Sequence, residues 1–206
     1  MRAQPRLVTV GRPRDPEAVV LVLHGGASRG DRMMVSPTQL SVIRMIPTAR
    51  AVDRAGRGRL AVFRLLNSWR GWDFEHTPVA DAAWALSQVK ERFGALPVGL
   101  VGHSLGGRAA LLAGEHQGVE SVVALNPWVY ATDTADLTGR RVLIVHGDRD
   151  RIAPMSRAAA VARNLSRTAE VEFVTIPGGR HAMLGRGRAF DGRAAAFTAK
   201  SLLTHV

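Results

Sequence analysis

Ser104 lies in a stretch whose residue types and spacing favour covalent chemistry. Glycines stand two residues before and two residues after it in Gly102-His103-Ser104-Leu105-Gly106, which fits the G-x-S-x-G pattern. The apolar run 98–102 precedes the serine and a helical stretch of small residues follows it, so the chain must turn sharply, and side chains at the glycine positions would collide. The pattern predicts a nucleophilic serine at a helix N-terminus, where free N–H groups favour developing negative charge. The alternative is a structural turn or a phosphate-binding loop.

A serine hydroxyl becomes a good nucleophile only when a base takes its proton. Of the seven histidines, His181 stands in the glycine-rich stretch PGGRHAML, just past the last predicted strand. That position predicts that His181 reaches Ser104 and acts as the base. We interpret the other six as turn-setting, strand-end or surface residues; they are His24, His76, His103, His116, His146 and His205.

The imidazole in turn needs a carboxylate that holds its tautomer and stabilises its charged form. The stretch HGDRDRIAP follows the apolar run 141–146 and offers Asp148 and Asp150. The two carboxylates stand two residues apart on one tight loop, and their spacing does not decide between them. Either aspartate could instead cap its own turn or the helix that starts near Pro154.

Short apolar runs alternate with stretches of helical spacing along the chain. Strands are predicted within 18–26, 60–66, 98–102, 121–127, 141–147 and 171–179, with a possible edge strand at 6–10. Helices are predicted at 37–56, 78–93, 104–116, 155–167 and 189–204. This order predicts an α/β fold with a mostly parallel central sheet of six to seven strands and helices on both faces. Without a linker or a break in composition, we expect a single domain over residues 1–206.

Four segments together resemble the α/β-hydrolase superfamily: VLHGG at 22–26, the stretch 102–106, HGDRD at 146–150 and GGRHAM at 178–183. The match spans residues 18–185, and the resemblance implies the chain order Ser, Asp, His. It also implies that Asp150, the aspartate nearer the following proline, is the acid.

The resemblance further implies that the backbone N–H groups of Leu105 and Gly26 form the oxyanion hole, with Ala27 as the alternative to Gly26. Only residues 127–140 separate the strand that ends at Asn126 from the next one, which is too few for a cap domain. The chain therefore resembles a small, capless member of the superfamily. Residues 64–73 resemble a segment of uncharacterised actinobacterial members.

The resemblance implies a serine hydrolase that cleaves a carboxylic ester or thioester of a small-molecule substrate through an acyl-enzyme on Ser104. His181 is then the base and Asp150 the acid that orients it, and the reaction requires neither a metal nor an organic cofactor. An acyltransferase or a biosynthetic cyclase would use the same three residues. A non-catalytic binding protein with this fold is a further alternative.

Aromatic residues follow two of the predicted strands on the side where the ligand is expected. Trp69 and Trp72, with Arg70 between them, follow the run 60–66, and Trp128 follows Asn126-Pro127. We expect the three tryptophans to line an acyl or aromatic pocket; the alternative is that they pack their loops against the sheet.

The net charge of +11 comes almost entirely from arginine, because lysine occurs only at Lys90 and Lys200. The arginines are scattered rather than clustered, which argues against a nucleic-acid binder but leaves an anionic substrate possible. The chain contains no cysteine, which excludes disulfides and thiolate sites. No apolar run approaches the length of a signal peptide core or a membrane span, so we expect a cytoplasmic protein without membrane partners. The oligomeric state is not indicated by the sequence.

Overall fold

A computed structural model describes residues 4–26, 33–73 and 75–203 of the chain. Its central feature is one seven-stranded sheet with strand order β1-β3-β2-β4-β5-β6-β7. The strands are β1 (Arg6–Gly11), β2 (Ala18–Leu23), β3 (Leu60–Leu66), β4 (Val98–His103), β5 (Val119–Leu125), β6 (Arg141–Gly147) and β7 (Glu170–Ile176). Only the pairing of β1 with β3 is antiparallel. The predicted fold class and number of strands are confirmed.

The middle strands are apolar along their whole length because both of their faces are covered. Every residue of β2 and β4 is buried, whereas the edge strand β7 has exposed and half-exposed positions. Burial on both faces removes the alternation of polar and apolar residues that a half-exposed strand would show. This burial explains why continuous apolar runs marked the strands in the sequence.

Six helices cover the two faces of the sheet. They are α1 (Leu40–Ile43), α2 (Met45–Gly56), α3 (Thr77–Phe93), α4 (Leu105–Ala113), α5 (Met155–Leu165) and α6 (Gly187–Leu202). The core on one face contains residues of α3, α4 and α5, and the core on the other face contains residues of α2 and α6. Parallel strands connected by helices on both sides bring the carboxyl ends of β2, β4, β5, β6 and β7 to the same edge.

The predicted helix at 37–56 is two helices, α1 and α2, separated at Arg44. Pro47 has no N–H to donate to the carbonyl of Ile43, so the regular hydrogen-bond ladder is interrupted there. Pro47 and Arg44 line a cavity that is described below. The break therefore lies beside the candidate site.

The segment 127–140 between β5 and β6 contains neither a helix nor a strand, and the described residues form no cap domain over the edge of the sheet. Within the described ranges, no helix is both long enough and apolar enough to cross a membrane.

Candidate active site

The turn between β4 and α4 holds Ser104 in a strained backbone conformation, with φ 55° and ψ −121°. A Cβ added at Gly102 would collide with the carbonyl of Gly106. A Cβ added at Gly106 would lie 2.5 Å from the carbonyl oxygen of His24, at the end of β2. Strain at a non-glycine residue costs about 1–3 kcal/mol and persists where the surroundings enforce it. The two glycines therefore allow the turn that lifts Ser104 above the sheet edge.

The side chains of Ser104, His181 and Asp150 form one continuous hydrogen-bonded chain. His181 Nε2 lies 2.9 Å from Ser104 Oγ, and His181 Nδ1 lies 2.8 Å from Asp150 Oδ2. With its proton on Nδ1, the imidazole donates to the carboxylate and accepts from the serine hydroxyl. Asp150 Oδ1 accepts from the backbone N–H groups of Ile152 and Ala153, at 2.8 and 2.9 Å, which fixes the carboxylate.

The carboxyl of Asp150 lies in an environment that favours its ionised form. Burial alone would raise its pKa, but the hydrogen bonds from His181 and from the N–H groups of Ala153 and Ile152 outweigh burial and lower it. Buried His146 lies below it, with Nε2 at 3.5 Å from Asp150 Oδ2 and at 3.0 Å from the carbonyl of Ala153. Burial lowers the pKa of His146, which keeps that ring neutral.

Asp148 takes a different position from Asp150. Its Oδ1 accepts a 2.7 Å hydrogen bond from the backbone N–H of Gly178, and its side chain is exposed. This contact ties the loop after β6 to the loop after β7. Asp148 thus holds the loop that carries His181 through a hydrogen bond on the exposed side of that loop.

Two buried side chains that the sequence analysis did not select hold the backbone of His181. His103 Nε2–H donates to the carbonyl of His181 at 2.7 Å. Asn126 Nδ2 donates to the carbonyls of Arg180 and His181 at 3.0 Å each, while its Oδ1 accepts from Gly147 N–H at 2.8 Å. Asn126 is fully buried and has φ +42°, a left-handed conformation that asparagine tolerates better than most residues. An asparagine directly after an apolar strand was the available signal.

The N–H of Leu105 is the first of α4, so no carbonyl of that helix can accept from it. Gly26 lies beside the same cavity as Ser104. A Cβ at Gly26 would collide with the carbonyl oxygen of Arg70. Glycine is therefore required here because the backbone of Arg70 lies close to it. Ala27, the alternative to Gly26, lies outside the described residues.

His24 fixes the start of this turn. Its Nε2 accepts from the backbone N–H of Asn67 at 3.2 Å, so the proton lies on Nδ1, which donates to the carbonyl of Gly25 at 2.6 Å. Burial lowers the pKa of His24, which keeps the ring neutral. His24 therefore sets turn geometry, as the sequence analysis interpreted it.

A cavity of about 490 Å³ opens beside Ser104. Its walls combine the candidate catalytic residues with α1 and the start of α2, and most of its surface is apolar. The lining residues are Gly25, Gly26, Leu40, Ser41, Ile43, Arg44, Pro47, His103, Ser104, His181, Ala182 and Leu184. In the part of the chain that the structure describes, no group of three His, Cys, Asp or Glu side chains could hold a metal ion.

Trp72 packs on a buried arginine rather than in this cavity. The guanidinium of Arg108 on α4 lies 4.2 Å from the Trp72 ring and 4.8 Å from the Tyr130 ring. The same guanidinium pairs with both carboxylate oxygens of Asp133, at 2.7 and 2.8 Å. Cation–π and ionic contacts thus join the loops after β3 and β5 across α4.

Trp128 packs edge-on against Tyr130, with ring centroids 5.2 Å apart. Trp69 forms an isolated backbone bridge with Met34, and its neighbour Arg70 lines a second cavity next to the first. Among the described lining residues of the cavity at Ser104 there is no tryptophan. The contacts of Trp72 and Trp128 agree with the packing alternative, and a role of the three tryptophans in substrate binding stays a prediction.

Comparison with solved structures shows that the chain shares the fold of α/β hydrolases. An alpha-beta serine hydrolase homologue from Coxiella burnetii superposes with a TM-score of 0.73 at 22% identity, covering 93% of this chain and 90% of the other. A serine hydrolase without a lid from Xanthomonas campestris gives a TM-score of 0.72 at 16% identity and covers 98% and 97%. Est1E from Butyrivibrio proteoclasticus, with ferulic acid bound, gives 0.69 at 16% and covers 97% and 96%. These likenesses confirm the fold and its lack of a lid.

A search of curated protein sequences found no match. Comparison with protein families gives a match to the PETase family, described as PET hydrolase-like, over residues 76–196. That range is more than half of the chain and contains Ser104, Asp150 and His181. The chain belongs to the PET hydrolase-like family of α/β-hydrolase enzymes.

Proposed function

We propose that the chain hydrolyses carboxylic esters through an acyl-enzyme on Ser104. The observation that carries the proposal is the unbroken chain from Ser104 Oγ through His181 to Asp150, with hydrogen bonds of 2.9 and 2.8 Å. This series of hydrogen bonds ends at Ser104, which lies in a strained turn beside a cavity of about 490 Å³. This arrangement supplies a nucleophile, a base and a binding site in one place.

In the first half of the reaction, Ser104 Oγ attacks the ester carbonyl carbon while its proton passes to His181 Nε2. The backbone N–H groups of Leu105 and Gly26 hold the negative oxygen of the tetrahedral intermediate; one such donor contributes about 3–4 kcal/mol in comparable sites. The intermediate collapses, the ester C–O bond breaks, and the alcohol leaves with the proton from His181. Asp150 stabilises the charged imidazole between these steps.

In the second half, water attacks the acyl carbon and gives one proton to His181 Nε2. The bond to Ser104 then breaks, the carboxylic acid leaves, and His181 returns its proton to Ser104 Oγ. Product analysis in the presence of a competing alcohol distinguishes this hydrolysis from transfer of the acyl group to another acceptor, which would use the same three residues.

The names of related proteins support esters of aromatic acids as the first substrates to test. The description of the matching family names PET, which is a polyester of an aromatic diacid. The structure of Est1E contains ferulic acid, an aromatic acid. Leu40, Ile43 and Leu184 supply apolar surface in the cavity for an acyl group of this size.

Labelling with a fluorophosphonate tests the proposal directly. Wild-type protein should gain one phosphonyl group on Ser104, and Ser104→Ala should gain none and should lose about 10⁴-fold in kcat on 4-nitrophenyl esters. His181→Ala should also escape labelling, because the hydroxyl then has no base. Circular dichroism checks that both variants fold. Folded wild-type protein that neither takes up the label nor releases 4-nitrophenolate would refute the proposal.

A further inference from the structure

Arg44 places a permanent positive charge in the wall of the cavity beside Ser104. It stands at the break between α1 and α2 and lines this cavity together with Leu40, Ile43 and Pro47. It is the one lysine or arginine among the described lining residues, and no acidic residue is among them. In the wall formed by α1 and the start of α2, the lining residues are apolar apart from Ser41 and Arg44, and only Arg44 is charged.

Arg44 has no ion-pair partner within the described ranges. Its side chain is half-buried, and burial lowers its pKa, while the nearby carboxyl of Asp191 opposes that effect. Asp191 itself accepts a 2.7 Å hydrogen bond from Thr48 Oγ1 and does not pair with Arg44. A guanidinium that is partly removed from water and lacks a carboxylate partner gains by binding one.

The charge of Arg44 acts on the reactive side of the cavity as well. Burial is the main cause that lowers the pKa of His103 to about 3, and the charge of Arg44 acts in the same direction. Arg44, His103, Ser104 and His181 line one cavity, so the charge of Arg44 lies within electrostatic range of the space beside the nucleophile.

We propose that Arg44 is a carboxylate-binding subsite, so that the preferred substrates are monoesters of dicarboxylic acids whose free carboxylate pairs with Arg44. This inference rests on the proposed ester hydrolysis at Ser104. The ester carbonyl lies at Ser104 and the acyl chain follows the apolar wall. Its far carboxylate meets the guanidinium, and the alcohol leaves beside His181.

The chemistry of the cavity favours a carboxylate over a phosphate. A planar guanidinium matches the two oxygens of a carboxylate through two parallel hydrogen bonds. One cation balances the single charge of a carboxylate, whereas a phosphate dianion would remain half-compensated in an apolar cavity. The apolar residues between Ser104 and Arg44 suit the hydrocarbon part that connects an ester to such a carboxylate.

Two probes of nearly equal size test the subsite: the mono-4-nitrophenyl ester of adipic acid and 4-nitrophenyl 5-carbamoylpentanoate, in which an amide replaces the carboxylate. We expect wild-type kcat/KM to favour the carboxylate probe by about tenfold or more. Arg44→Gln should bring the ratio of the two kcat/KM values close to one. Arg50 is an exposed arginine of α2 that does not line the cavity. Arg50→Gln is therefore the control for net charge, and it should keep the wild-type ratio.

A second measurement does not depend on the folding of any variant. Adipamate, the monoanionic monoamide of adipic acid, should inhibit wild-type hydrolysis of neutral 4-nitrophenyl acetate about tenfold more strongly than adipamide does. A wild-type ratio near one, an unchanged ratio in folded Arg44→Gln, or equal inhibition by the two diacid derivatives would overturn the subsite while ester hydrolysis stands. If folded wild-type protein showed neither turnover nor fluorophosphonate labelling, the proposed function would be refuted, and the subsite with it.

Discussion

The two sides of the cavity at Ser104 are built in different ways. On one side, the acid–base loops, residues 147–153 and 177–184, are connected to each other and to the sheet by hydrogen bonds, most of them buried or part-buried. On the other side, the cavity wall, residues 40–47, exposes 82% of Leu40 and 42% of Ile43. Directional bonds fix the first side to specific residue types, whereas the second side needs only shape, apolar surface and one charge.

The largest effect should come from the carboxylate within the acid–base loops. Asp150→Asn removes the charge that stabilises the imidazolium and should lower kcat by about 10³–10⁴-fold. Asp148→Asn is the matched control on the same loop, because Asp148 bonds only to the backbone of Gly178, and it should cost less than about tenfold. Steady-state kinetics with one 4-nitrophenyl ester measure both. A greater loss in Asp148→Asn would reverse the assignment.

Buried His103 should make the fold sensitive to acid. Its pKa is about 3 in the folded protein, mainly because of burial, against about 6.5 in an unfolded chain. Below about pH 6.5 the unfolded chain therefore binds a proton that the folded protein does not, and about 2–3 kcal/mol of stability is lost by about pH 4.5.

His103→Gln sharpens this prediction, because glutamine can still donate to the carbonyl of His181 but cannot take up a proton. Urea unfolding at a series of pH values measures the free energy of unfolding of both proteins. Between about pH 7 and about pH 4.5, this free energy should fall by about 2–3 kcal/mol less in His103→Gln than in the wild type. His24 and His146 are also buried and remain in the variant, so part of the decline should persist. Equal slopes in the two proteins would contradict the role given to His103.

Asn126 connects the two acid–base loops, and its replacement should act on the chemical step. Asn126→Asp keeps the size and the acceptor for Gly147 but loses the two donors to the carbonyls of Arg180 and His181. A small displacement of His181 should lower kcat by about 10–100-fold and leave KM nearly unchanged. Asn164→Asp, at an exposed position on α5, controls for the added charge. An effect confined to KM would show that Asn126 acts on the cavity and not on the base.

The smallest effect should come from the cavity wall. Leu40→Ala removes an exposed side chain, so the unfolding free energy should change by less than about 0.5 kcal/mol. The loss of apolar surface should raise KM by about threefold for long acyl chains and by less for acetate. Kinetics on 4-nitrophenyl esters of graded chain length, together with thermal unfolding, measure both quantities. A large stability loss would mean that the wall is as firmly built as the acid–base loops.

The sequence predicted the parts of the molecule that depend on local spacing. Continuous apolar runs indicated strands buried on both faces, and the glycines around Ser104 indicated the turn. Family resemblance was needed to choose Asp150 over Asp148, because spacing on one loop does not show which carboxylate points inward. The catalytic roles of these residues stay predictions until the experiments above are done.

Other parts of the site depend on contacts between distant segments and could not be predicted. Asn126 meets Arg180 and His181 only after the sheet has formed, and its left-handed backbone leaves no periodic signal. Pro47 was a local signal for the break in the helix predicted at 37–56, but the place of Arg44 in the cavity wall depends on how α1 and α2 pack on the sheet. The packing of Trp72 on Arg108 was not predicted for a related reason, since Arg108 stands in a helix of small apolar residues and nothing in local spacing pairs it with Trp72.

The stacking of Trp72 on Arg108 gives the molecule an intrinsic optical reporter. Indole emission depends on nearby charge and on access to water, and here one ring lies 4.2 Å from a guanidinium that is itself bound to Asp133. Departure of the loop at 67–73 from α4 would move that ring into solvent and shift its fluorescence to longer wavelength. In a variant in which Trp69, Trp84 and Trp128 are replaced by phenylalanine, Trp72 would be the one indole, and local opening next to Ser104 could be followed without an attached dye.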